Sequence, residues 1–87
     1  MILRVGGFRF HFYPDEGTEP PHIHVCSGDG ECKFWLDPIG LVRSRSVEPH
    51  TVRAMERLVF EHLDLLLKQY HEHHPAGDRG RGDQGLE

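Results

Sequence analysis

The chain has 87 residues, 37% of them apolar and 28% charged, with a formal net charge of -4 and eight histidines. That length allows one domain, burying about 60% of its unfolded surface, and the acidic balance argues against a general polyanion binder, which is basic overall. No run approaches the ~20 apolar residues of a bilayer span. The segment Met1 to Phe12 also lacks the long apolar stretch and cleavage site of a secretion signal. Two cysteines, Cys26 and Cys32, make no disulfide framework, so a bacterial-type cytoplasmic location with no membrane association is expected.

In chain order, Phe8-Arg9-Phe10-His11-Phe12-Tyr13 alternates apolar and polar residues, the period of a half-buried strand. Pro14 to Pro21 reads as a loop. His22 to Cys26 alternates again, and Cys32 to Leu36 forms a third strand that ends at Asp37-Pro38. Between them, Asp29-Gly30 suits a two-residue type I′ turn. That turn pairs Gly28 with Glu31, Cys26 with Lys33, Val25 with Phe34, His24 with Trp35 and Ile23 with Leu36. One face then carries Phe8, Phe10, Phe12, Ile23, Val25, Phe34 and Leu36. The other carries Arg9, His11, Tyr13, His22, His24, Cys26, Glu31, Lys33 and Trp35, and the two cysteines fall on opposite faces. Residues 39–47 are a connector without an assignable pattern.

Pro49, favoured in a first helical turn, opens a helix expected to run to about His73. Val52, Met55, Val59, Leu63, Leu66 and Tyr70 recur at three- and four-residue steps and make the stripe that covers the apolar sheet face. Leu58 and Leu65 lie roughly 120° away from it. They either pack on the 39–47 connector or form a homodimer or partner seam. The expected fold is α+β, a three-stranded antiparallel sheet with one long C-terminal helix on its apolar face, over residues 1–74. Residues 75–87, rich in Gly and Asp, cannot repay the cost of ordering and are expected to be a disordered tail.

The polar face is the candidate site. Arg9, His11, Tyr13, Lys33 and Trp35 suit phosphate and base recognition through charge-assisted bonds and stacking. His22 or His24, with Glu31 or Lys33, suits acid–base work near neutral pH. His22-x-His24 with His11, Glu31 or Cys26 suits a zinc-type cation, although His-x-His on a strand is more often a plain polar surface. No cofactor is expected. Pro20 and Pro21 restrict the backbone before the strand and hold His22 at a defined point.

The segments Phe10 to Tyr13, Asp15 to Val25 and Lys33-Phe34-Trp35-Leu36-Asp37-Pro38 resemble the small bacterial and archaeal domain of unknown function 4160. The resemblance covers roughly residues 8–73, and Pro20, Pro21, His22, His24, Lys33 and Trp35 all match its motif. It implies a gene neighbourhood of toxin–antitoxin type. A small antitoxin-like protein partner and an RNA or DNA target follow from that arrangement, not from these residues.

Three functions are therefore expected to compete. The first is a toxin–antitoxin-type component acting on nucleic acid, with His22, His24 and Lys33 as catalytic groups and Arg9, His11, Tyr13, Glu31 and Trp35 as binding groups. The second is a non-catalytic protein-interaction module. The third is a divalent-metal-binding or metal-dependent hydrolase domain using His11, His22, His24 and Glu31.

Overall fold

The computed structural model describes residues 2–13 and 19–73. Five strands follow in order, β1 (Leu3–Val5), β2 (Phe8–His11), β3 (His22–Ser27), β4 (Gly30–Leu36) and β5 (Ile39–Arg45), and then two helices, α1 (Pro49–Glu61) and α2 (Leu63–His73). Each strand pairs antiparallel with the next, giving one five-stranded meander in chain order. The class is α+β, but the expected three strands and single long helix are wrong at three places, each for a physical reason. The expected tail at 75–87 lies outside the described residues.

The first addition is β1, a three-residue edge strand folded back through Gly6-Gly7, with Gly6 at φ 57°. Three residues are too few for alternation to signal a strand. The second is β5, inside the connector that carried no pattern. Its pairing with β4 shifts register between Lys33 and Phe34, so Lys33 faces Arg43 while Phe34 faces Leu41. Val42 is the extra residue of a bulge, which rotates everything after it to the opposite face. Ile39 and Leu41 therefore share the side of Phe34, and Arg43 and Arg45 share the side of Lys33 and Glu31. A strand that changes face midway has no single period.

The third correction is in the helix, which breaks at His62 (φ -111°, ψ 20°). The His62 ring Nδ1 and backbone N–H both donate to the Leu58 carbonyl at 3.0 Å, a side chain entering the helical ladder. Because Leu66 N–H still bonds the His62 carbonyl at 2.9 Å, the break is a kink and not a new direction for the apolar stripe. Met55, Val59, Leu66 and Tyr70 continue across it and pack on Phe10, Ile23, Val25, Phe34 and Leu36 from the sheet. Each large apolar side chain so buried contributes about 1.5–3 kcal/mol. Leu58 joins the margin of this core, whereas Leu65 stays 39% exposed. Among the described residues no helix is long and apolar enough to cross a membrane.

The β3–β4 turn also differs from expectation. Its central residues are Gly28 and Asp29, and the observed pairs are Ser27 with Gly30, Cys26 with Glu31, Val25 with Cys32, His24 with Lys33, Ile23 with Phe34 and His22 with Trp35. Gly28 takes φ 58°, so positive φ falls at the first central position, where a type II′ turn requires glycine. Gly30 has a different task. It is buried against the chain entering α1, where a Cβ would overlap the Ser46 carbonyl oxygen and come within 2.6 Å of Val47 Cγ2. The shift from expectation is two residues, so every side chain keeps its expected face.

Candidate functional site on the outer sheet face

The helices cover one face of the sheet, and the other carries the motif residues in rows set by the register. Arg4, Arg9, Cys26, Glu31 and Arg45 lie directly opposite one another across all five strands. The next row is His11, His24, Lys33 and Arg43, and a third brings His22 beside Trp35. With strands about 4.8 Å apart, the first row spans roughly 19 Å. Among the described residues this face holds five Lys or Arg side chains (Arg4, Arg9, Lys33, Arg43, Arg45), against the carboxylates of Glu19, Glu31 and, at the hairpin rim, Asp29. Its sign is opposite to that of the chain, whose net charge is -4.

The motif residues do not lie open on that face. His22, His24 and Lys33 are only 1%, 1% and 3% exposed. Tyr13 lies against His24 with ring centres 4.2 Å apart, and Trp35 and Tyr70 approach His22 at 6.1 Å each. The Glu19 carboxylate bonds the Lys33 ammonium, whose Nζ also lies 5.5 Å from the Trp35 ring centre. The Tyr70 hydroxyl donates to the Glu19 carbonyl at 3.4 Å. Residues on both sides of the loop before β3 are thus bonded down onto the face. The Pro21 carbonyl accepts from Leu36 N–H at 2.9 Å and extends the β3–β4 ladder.

Hydrogen bonding sets the His22 tautomer. His22 Nδ1 is 2.8 Å from the Pro20 carbonyl, which can only accept, so the proton is on Nδ1. His24 Nδ1 lies 3.1 Å from Glu31 Oε2, an ion-pair distance without hydrogen-bond geometry. The two rings meet edge to face with centres 5.5 Å apart. Glu31 is held in turn by the Tyr13 hydroxyl at 2.8 Å and by Arg45 at 3.4 Å. Burial, followed by nearby cations including Arg9, lowers the His11 pKa, and burial followed by the Glu31 charge raises the Cys26 thiol.

The eight expected site residues therefore separate into two layers. Arg9, His11, Tyr13, Glu31 and Trp35 reach solvent in part, whereas His22, His24 and Lys33 lie beneath them. A cleft of about 140 Å³ between β4 and β5 reaches His24, Glu31, Lys33, Arg43 and Arg45. Among the described residues no three His, Cys, Asp or Glu side chains are placed to hold a metal ion. Arg4, Glu19, Arg43 and Arg45 are site residues that the sequence reading missed. The Gly6-Gly7 pair between Leu3-x-Val5 and Phe8-x-Phe10 was a usable hairpin signal for Arg4, and Arg43-x-Arg45 has the period of a strand.

A family model described as Domain of unknown function (DUF4160) matches residues 7–71, from the turn before β2 to near the end of α2. No curated protein and no solved structure gives a match.

Proposed function

The chain belongs to the family described as Domain of unknown function (DUF4160), and on that premise we propose that it binds single-stranded nucleic acid across the outer face of its sheet. The row Arg4–Arg9–Cys26–Glu31–Arg45, with Arg43 beside it, carries this reading. Arg4 and Arg9 at one end of the row, and Arg45 with Arg43 at the other, give forked donors for separate phosphates. Tyr13, 40% exposed, and the half-buried His11 and Trp35 supply ring faces on which bases stack. His22, His24 and Lys33 lie beneath these groups, and Lys33 ties Glu19 to the face. An acidic chain can bind a polyanion in this way because the positive charge is gathered on one face, where the local potential acts on the ligand.

In a toxin–antitoxin-type pair, such a surface would act by holding or cutting RNA. One observation favours cutting as a second reading: the His24 ring, with Nδ1 3.1 Å from the Glu31 carboxylate, makes an imidazole–carboxylate pair suited to acid–base work once Tyr13 moves aside.

Fluorescence anisotropy with a labelled oligouridylate tests the binding reading. Binding should weaken with salt, and Arg43→Ala with Arg45→Ala should reduce the salt slope by about one each. Absence of binding at low salt overturns it. Cleavage of the same RNA by wild type but not by His24→Ala would replace binding alone with the catalytic reading.

A further inference from the structure

The row of arginines ends at the tips of two hairpins, and the chemistry there differs from the rest of the face. Arg4 and Arg9 are directly opposed across β1 and β2. Like charges in facing positions of an antiparallel pair destabilise it. The neighbour of Arg9 on β3 is Cys26, which supplies no countercharge in its neutral thiol form, and the raised thiol pKa favours that form. The two guanidiniums face a depression of about 460 Å³ whose remaining lining is Gly6, Gly7, Gly28 and Asp29. Three of those four residues have no side chain, and a Cβ at any of the three glycines would meet nothing within 4 Å. Arg9 is held in place by donating to the Gly28 carbonyl at 2.9 Å, which fixes its guanidinium at the rim.

We infer that this hairpin-tip depression is a subsite for a phosphomonoester, the terminal phosphate of the nucleic acid bound along the row. The inference rests on the binding reading above and names the end group that the site selects. An internal phosphodiester carries a single negative charge and answers one guanidinium. A terminal monoester carries close to two above its second pKa of about 6, and it presents three acceptor oxygens. A dianion between Arg4 and Arg9 removes the repulsion that the empty pair bears, and each guanidinium can bond it through two N–H groups. The open glycine turns admit a tetrahedral group, and the two guanidiniums together outweigh the single Asp29 carboxylate on the rim. The subsite lies at the β1 edge of the sheet, where the row stops, so it receives a chain end and not a continuing strand.

The test uses the full chain and three labelled oligouridylates, with a 5′-phosphate, a 3′-phosphate or hydroxyls at both ends. One phosphorylated form should bind about tenfold or more tighter than the hydroxyl form at neutral pH. That ratio should shrink below about pH 6 as the monoester gains a proton. Arg4→Gln should bring the ratio close to one, whereas Arg45→Gln, at the far end of the row, should weaken all three and leave the ratio in place. Equal binding of the three oligonucleotides by wild type overturns the subsite while leaving the binding face intact. A ratio that survives Arg4→Gln also overturns it. No binding of any of the three overturns the proposed function itself.

Discussion

Gly30 offers a sharp test of the observed hairpin register. In the structure it is a buried strand residue pressed against the backbone of Ser46, which itself takes φ 58°. Adding a methyl group in Gly30→Ala places Cβ on the Ser46 carbonyl oxygen and 2.6 Å from Val47 Cγ2. The first of these is backbone, which cannot swing away, so the junction between β5 and α1 must move. Overpacking of this kind costs about 1–3 kcal/mol, and the reduced freedom of the unfolded chain returns about 0.4–1 kcal/mol. The close contact with backbone puts the cost near its upper end, for a net loss of about 2 kcal/mol. For a domain of this size that lowers Tm by roughly 8–16 °C. Circular dichroism during heating and in urea measures it, and an unchanged m value would confirm that stability alone is affected. Gly7→Ala is the control, since a Cβ there meets nothing within 4 Å. It should be neutral or up to about 1 kcal/mol stabilising. If Gly30→Ala melts within about 2 °C of wild type, the close approach of the β5–α1 junction is wrong.

Three further outcomes follow from the same structure. The folded pKa of His11 lies below its unfolded value, mainly through burial, so the unfolded chain binds more protons at mildly acid pH. Stability should therefore fall as pH drops below about 6.5, and His11→Gln should flatten that slope in urea titrations at a series of pH values. The raised Cys26 thiol should alkylate more slowly than a free cysteine at mildly alkaline pH, and Glu31→Gln should speed it by removing the second cause of the shift. Leu58→Glu should destabilise by about 1–3 kcal/mol because Leu58 packs on the core margin, whereas Leu65→Glu should change stability by less than about 0.5 kcal/mol. Equal effects in urea melts would mean that the two leucines share one environment after all.

The hairpin shows how a wrong local inference can leave the larger one standing. Asp29-Gly30 is a strong turn signal, and the chain instead turns at Gly28-Asp29, because Gly30 is needed where Ser46 and Val47 pass. That need comes from residues sixteen positions away and has no local trace. Faces repeat every two residues, so the two-residue displacement left Ile23, Val25 and Phe34 inside and His24 and Lys33 outside. The bulge at Val42 was less forgiving. It hid a whole strand, and with it Arg43 and Arg45, because a one-residue insertion reverses the alternation that a sequence reading depends on.

By itself, the sequence determined the α+β class, the two faces of the central strands, the apolar stripe from Val52 to Tyr70 and the placing of His22, His24, Lys33 and Trp35 on one side. Each of these follows from short-range periodicity, which needs no knowledge of neighbours. Only the tertiary structure decided that His22, His24 and Lys33 are buried there, since their cover comes from Tyr13, Glu19 and Tyr70, brought in by the preceding loop and α2. It alone aligned Arg4, Arg9 and Arg45 in one row, because cross-strand neighbours are set by registers along four separate pairings. The paired histidines drew attention to this face, and the arginines around them are the residues in a position to meet a ligand.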